Sequence, residues 1–403
     1  MGDLVTIADI RAAARRGASV VLTTPLLPSS TFSRMCGLDL WTKAENLQRT
    51  GSFKIRGAMN ALSRLPGAAR RAGVVAASAG NHAQGVALAA STLGIDCTVF
   101  MPRTAPLPKV SATRAYGATV ALVGSDLGEA VDAARDHVAE TGAHFVHPYD
   151  DPDIVAGQGT LGLELIDQMA EPGTVVIPIG GGGLAAGSAA AIKALSPGTR
   201  IVGVEAEAAA TYVASREAGR PTAVEPRFTL ADGIAVSRPS DLVFDHLEAH
   251  VDELVTVDDD EMTTAVALLL ERAKFLVEPS GAAGLAAVLS GRVALRPGPT
   301  VVVLSGGNVD LLLIDRVIRK GLEASGRFGS FRVLVPDVPG QLAKITATVA
   351  EIGANVVQVE HRREGIGLPF GTTEISFAVE TRDEEQLAEI VSAMEAIDVR
   401  GGR

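Results

Sequence analysis

Lys54 is the residue with the most chemical scope in this sequence. It sits in KAENLQRTGSFKIRGA (43–58), where a Gly/Ser turn enters a helix. A lysine amine is a nucleophile or base only when neutral, and the positive end of a helix dipole disfavours the ammonium. That placement predicts an amine able to form an imine or take up a proton; the plain alternative is a surface lysine at a helix start. A second segment, SAGNHAQGVA (78–87), follows an apolar run directly. Uncommitted N–H groups at a new helix can hold an anion such as a substrate carboxylate. Asn81 could donate to a phenolic oxygen, and His82 is either a ligand for the same anion or a structural histidine. In the third, GGGGLAAG (180–187), four glycines let backbone N–H groups approach a phosphate. A dinucleotide loop is the competing reading, but the spacing is not G-x-G-x-x-G at the first βα turn. Glu205 is the nearest candidate for the acidic partner such a loop needs. The fourth, LSGGN (304–308), places Ser305 at a strand end, where a ligand ring could meet it.

Elements must carry these four segments to one place. A helix over Ile7–Arg16 leads into short β-branched runs that alternate with Ala- and Leu-rich helical patterns. Strands are expected at 74–78, 97–101, 118–123, 144–147, 174–179, 200–205, 253–257 and 300–305. Several are apolar throughout, as strands buried on both faces must be. The alternation argues an α/β fold with parallel sheets, in which ligands bind at the strands' C-terminal ends. The Gly-rich segments fall at such ends. After GRFGS (326–330) the pattern changes to β-α-β-β-α-β, the ferredoxin-like order. Its strands are expected at 331–335, 355–361, 373–380 and 396–400, with helices at 341–353 and 383–395.

Composition bounds the rest. At roughly 100–200 residues per domain, 403 residues suggest two or three domains. The 47% hydrophobic content supports large cores, and only 4% aromatic content suits close helix–sheet packing. Net charge is −11, with no Lys/Arg stripe, so nucleic-acid partners are set aside. Cys36 and Cys97 form no Cys-x-x-Cys pair and read as small packed hydrophobes. No signal-peptide core and no apolar stretch of roughly 18 residues is present, so the expectation is a cytoplasmic protein without a membrane partner.

Together the lysine segment, SAGNHAQGVA, GGGGL and LSGGN closely resemble the threonine/serine dehydratases, also called threonine ammonia-lyases. These are pyridoxal-phosphate enzymes of the tryptophan-synthase-β-like fold, fold type II. The likeness covers roughly residues 20–320. Relatives that synthesise cysteine or threonine typically carry Asp after the lysine; here it is Ile55. The resemblance implies a two-subdomain catalytic unit over 1–325, much of its smaller, mobile subdomain lying at about 45–150. It implies that Lys54 holds pyridoxal phosphate as a Schiff base and that Phe53 lines the ring. Asn81 would bond the 3′-oxygen, and Gly180, Gly181, Gly182, Gly183 and Leu184 would cradle the phosphate. Ser305 would face the pyridine nitrogen, while Ser78, Asn81 and His82 would hold the substrate carboxylate. The implied activity is dehydration and deamination of L-threonine to 2-oxobutyrate and ammonia, with L-serine to pyruvate as a slower reaction. Such a step leads toward isoleucine or serves threonine catabolism. Related serine racemases carry a second serine where this chain has Ala79, which ranks racemisation below elimination; another pyridoxal-phosphate β-elimination stands as a further alternative. A nicotinamide oxidoreductase and a non-enzymatic amino-acid sensor are the other classes considered; intact Lys54, Asn81 and Ser305 argue against the latter.

Relatives also bind a cation after the VGV strand. Glu205 and Ala209 match that pattern, but Thr211 stands where a second carboxylate would be. Glu278, in VEPSGA (277–282), matches a position near the cofactor ring, with no role assigned. Residues 328–403 resemble an ACT domain through DVPGQL (337–342) and the turn at Gly353 to Val356. That likeness implies a regulatory module that pairs copies into a homodimer or homotetramer. It also implies a branched-chain amino acid, isoleucine or valine, as effector near Asp337, Gly340, Gln341, Leu342 and Asn355.

Overall fold

The apolar runs become strands, the central ones packed on both sides. In chain order these are β1 (Leu26–Pro28), β2 (Leu40–Ala44), β3 (Val74–Ala77), β4 (Cys97–Met101), β5 (Thr119–Leu122), β6 (His144–Phe145), β7 (Thr174–Pro178), β8 (Arg200–Ala206), β9 (Glu253–Val257) and β10 (Thr300–Leu304). Every residue of β3, β7, β8 and β10 is buried, as the unbroken Val/Ile runs predict. The computed structural model describes residues 4–294, 296–364 and 368–397. The chain divides into two compact units, Met1–Leu311 and Leu312–Arg403.

The first unit holds two sheets. The larger runs β1-β2-β10-β7-β8-β9 and the smaller β5-β4-β3-β6. All pairings are parallel except β1 with β2. Because β10 returns to lie between β2 and β7, the segment after residue 304 meets the segment before Lys54. Ser52 and Gly306 bridge there. The helices Pro152–Gln168 and Gly183–Leu195 cross closely over the large sheet. A side chain at Gly187 would run into the Val155 carbonyl, so only glycine permits that approach.

Strands β1 and β2 lie outside the expected set. β2 reads LWTKA, and its lysine masks its burial. Lys43 is fully buried because it belongs to an ion network. Its Nζ donates to Glu164 Oε1 at 2.5 Å, to the Thr24 carbonyl at 2.7 Å and to Gln168 Oε1 at 2.9 Å. Arg56, two residues after Lys54, forks onto both oxygens of buried Glu45 at 2.7 Å and reaches Glu164 Oε2 at 2.9 Å. Burial works against the Arg56 charge, but Glu45 and Glu164 outweigh it and hold the guanidinium protonated. Two cations and two carboxylates thus cancel inside the fold.

In the second unit, β11 (Phe328–Pro336), β12 (Asn355–Arg362) and β13 (Thr372–Glu380) form an antiparallel sheet in the order β11-β13-β12. Helices Gln341–Ile352 and Glu384–Glu395 contribute Ile345, Val349 and Ile390 to a core with Val333, Val335 and Phe377. The order is that of the expected ferredoxin-like α+β module. The strand expected at 396–400 falls mostly on residues 398–400, outside the described residues. Among the described residues, no helix is long and apolar enough to cross a membrane.

Candidate active site

Ser78 follows β3, His147 follows β6, Gly180 follows β7 and Ser305 follows β10. The segments therefore gather at strand C-terminal ends, where open α/β sheets place ligands. The Phe53 amide donates to the Ser305 carbonyl at 3.2 Å, which stitches the lysine segment to the end of β10. Lys54 is the first residue of the helix Lys54–Arg64. Its Nζ lies 5.1 Å from the centre of the Phe53 ring and donates to the Pro148 carbonyl at 3.2 Å.

Burial pulls the Lys54 amine down to about 8, against the opposing pull of the Glu278 carboxylate. The helix start is present, yet desolvation is the leading cause. In the cofactor-free chain, labelling of Lys54 by an amine-directed reagent is expected to rise with pH around a midpoint of about 8 rather than 10.5. Peptide mass spectrometry across a pH series reads that midpoint.

Asn81 opens the helix Asn81–Leu93. Its Oδ1 accepts from Asn308 Nδ2 at 2.8 Å, and its Nδ2 donates to Glu278 Oε1 at 2.6 Å. The second proton of Asn308 Nδ2 goes to the Thr50 carbonyl at 2.5 Å. This chain fixes which end of the Asn81 amide is NH2 and leaves one N–H uncommitted. Glu278 is buried; desolvation and then Asp232 push it up to about 7, while Asn81, Lys109 and Lys54 pull the other way. Lys109 is itself paired with Asp232 at 2.9 Å.

Several helices start on side-chain caps, among them Thr6, Asp126, Asp151, Ser240 and Asp258. Those beginning at Asn81 and Gly183 have none, so their first-turn amides remain free for an anion. A side chain at Gly181 would run into the Tyr149 ring, and one at Gly180 would lie 2.7 Å from Ile234 Cα. Gly182 has φ +78 and caps the helix that Gly183 and buried Leu184 begin. Ser305 is buried, and its hydroxyl makes no hydrogen bond among the described residues. Pyridoxal phosphate carries an anionic tail, a phenolic oxygen, a ring nitrogen and an aldehyde. The residues present fit all four: uncapped glycine amides, a spare Asn81 N–H, an unengaged Ser305 hydroxyl and an amine of lowered pKa.

Other residues named from the sequence have different surroundings. His82 is buried, and its Nε2 faces the Val146 carbonyl at 2.9 Å. Burial, then Lys54, pull it down to about 3, so the ring is neutral and only its backbone amide stays available at the helix start. Half-buried Ser78 accepts from the Gly80 amide at 3.2 Å. The buried Glu205 carboxylate accepts from the Tyr212 and Val213 amides at 2.9 and 2.8 Å and caps the helix Thr211–Ala218. Burial pushes it up to about 7, and Ala209 lies in the turn between the two. Among the described residues, no three His, Cys, Asp or Glu side chains gather as a metal site. In the second unit, Asp337 pairs with Arg363 at 3.3 Å and Asn355 donates to Glu380 at 3.0 Å. Gly340, at φ +97, precedes Gln341 and partly exposed Leu342. Sequence reasoning did not single out His147, Tyr149 and Asn308. HPYDDP after an expected strand was the available signal, since polar residues at a strand's C-terminal end face the ligand crevice.

Comparison with known proteins identifies the chain's relatives. The family model described as "pyridoxal-phosphate dependent enzyme" matches residues 18–306, and that of the ACT domain matches 329–399. The chain is 46% identical over 387 residues to the L-threonine ammonia-lyase of Thermotoga maritima, covering 96% of each. A threonine deaminase isoform 2 from Solanum lycopersicum superposes with a TM-score of 0.75 at 35% identity, over 78% of this chain and 92% of that one. Maize serine racemase gives a TM-score of 0.75 at 36% identity, over 80% and 99%.

Proposed function

The chain belongs to the pyridoxal-phosphate-dependent enzymes and carries a C-terminal ACT domain, and on that premise we propose that it deaminates L-threonine to 2-oxobutyrate and ammonia. One observation carries the reading: an amine of lowered pKa, an unengaged hydroxyl and two uncapped helix starts converge at Lys54, Ser305, Asn81 and Gly183. When bound, pyridoxal phosphate supplies an aldehyde that condenses with amines and a ring that accepts an electron pair from the adjacent carbon. Lys54 Nζ would join that aldehyde and, when freed by the substrate amine, take the proton from the substrate Cα. A pKa of about 8 suits both tasks near neutral pH, where the amine is neutral in a useful fraction of molecules. Gly180 to Leu184 would hold the phosphate and Asn81 Nδ2 the phenolic oxygen. A hydroxyl such as Ser305 bonds a ring nitrogen without keeping it protonated, which favours loss of the β-hydroxyl over transamination. The substrate carboxylate would sit on the first-turn amides of Asn81 and His82, beside Ser78.

L-threonine should yield stoichiometric 2-oxobutyrate and ammonia, L-serine should react more slowly, and neither should yield appreciable D-isomer, since position 79 is alanine. A keto-acid assay with chiral analysis of the remaining substrate decides it. Racemisation outpacing keto-acid release would reverse the reading. The reading extends to regulation: copies pair through the ACT units, and isoleucine or valine binds near Asp337, Gly340 and Asn355. Added to the full chain, one of them should shift the threonine saturation curve. No shift with any branched-chain amino acid would leave the second unit a pairing device.

A further inference from the structure

We propose that His147 is a positioning residue for Lys54, acting through the turn at residues 148–150. The proposal rests on the reading of Lys54 as the cofactor lysine.

The imidazole of His147 closes this turn. Its Nδ1 accepts from the Asp150 amide at 2.8 Å and from the Tyr149 amide at 3.3 Å. Two N–H groups converging on one nitrogen need a lone pair there, so the ring is neutral with its proton on Nε2. Burial, which holds this imidazole's pKa below the usual value, acts in the same direction.

Each residue of the turn then meets a different part of the site. The Pro148 carbonyl receives Lys54 Nζ at 3.2 Å. The Tyr149 ring lies against Gly181 and its Cβ and backbone against Gly183; the ring is edge-on to His147 with centres 4.7 Å apart, and its hydroxyl donates to the Arg238 carbonyl at 2.9 Å. The Asp150 carboxylate accepts from the Ser240 hydroxyl. The amine, the phosphate loop and the segment leading into the Asp241–His250 helix are thus referenced to one turn of backbone. Pro148 contributes no N–H of its own, so the two amides after it are the ones available to pin the turn, and both point at His147 Nδ1. Without that acceptor, the Pro148 carbonyl loses its fixed direction and Lys54 Nζ its resting point.

Three replacements in the cofactor-loaded enzyme separate this role from simple space filling. His147→Asn keeps an acceptor oxygen near the place of Nδ1. His147→Phe keeps a ring without an acceptor, and His147→Gln moves the amide toward the Nε2 end. Misplacing a catalytic amine predicts a kcat lower by about ten- to a hundredfold for Phe and Gln, with the threonine KM changed far less. His147→Asn should retain most of kcat. Amide hydrogen exchange at Tyr149 and Asp150 should quicken in Phe and Gln and stay slow in Asn. If Phe fails to fold, Gln carries the comparison. Wild-type kcat in Phe or Gln overturns the proposal, as does an Asn variant that falls with them. A wild-type chain lacking the cofactor's visible band would instead overturn the reading of Lys54.

Discussion

Lys54→Ala is expected to leave a folded chain that neither binds pyridoxal phosphate covalently nor turns over L-threonine. Lys54 starts its helix without a side-chain cap and is only half-buried, so truncating it removes little packing. What goes is the amine whose pKa burial lowers to about 8. Loss of the proton-transfer role alone should cost about 10²–10⁴-fold in kcat. Loss of the covalent anchor adds to that, and the visible band of the bound cofactor should disappear. Circular dichroism should match that of the unaltered chain, which separates lost chemistry from lost fold. Lys54→Arg should not rescue, because a guanidinium stays protonated in proteins.

Arg56→Met should cost the most in stability. Arg56 is the common partner of Glu45 and Glu164, and with it gone a fully buried carboxylate at Glu45 keeps only the Thr24 hydroxyl. Breaking a buried pair from one side costs about 3–5 kcal/mol. Denaturant unfolding of the cofactor-free protein measures this as a drop in midpoint. Adding Glu45→Leu should recover part of the loss, because no charge is then stranded; strictly additive costs would show that the two residues are not coupled. The network's position near Lys54 predicts a second effect, a lower kcat in any Arg56 variant that still folds.

The parts legible in the sequence share one property: the chemistry is local. The runs at 97–101 and 253–257 are strands with the expected bounds, because an apolar β-branched run between turns has few other fates. The GGGGL and SAGNH segments lie at strand ends for the same reason. Less visible were features set by distant partners. β2 escaped notice because Lys43 reads as a surface residue until Glu164, 121 residues on, neutralises it. The amide chain Thr50–Asn308–Asn81–Glu278 joins four segments, and no pattern within any one of them announces it. His82 was open between two readings. Its place beside Asn81 allowed a ligand or a structural histidine, and only the fold shows its ring on the Val146 carbonyl, leaving its backbone amide for an anion. Similarly, Glu205 is engaged by the amides of the helix that follows it.

Borohydride reduction of the purified, cofactor-loaded protein, followed by peptide mass mapping, tests the central claim most directly. The account predicts one pyridoxyl-phosphate adduct, on the peptide bearing Lys54, together with loss of the visible band and of threonine deamination. An adduct on another lysine, or full activity after reduction with Lys54 unmodified, would contradict it.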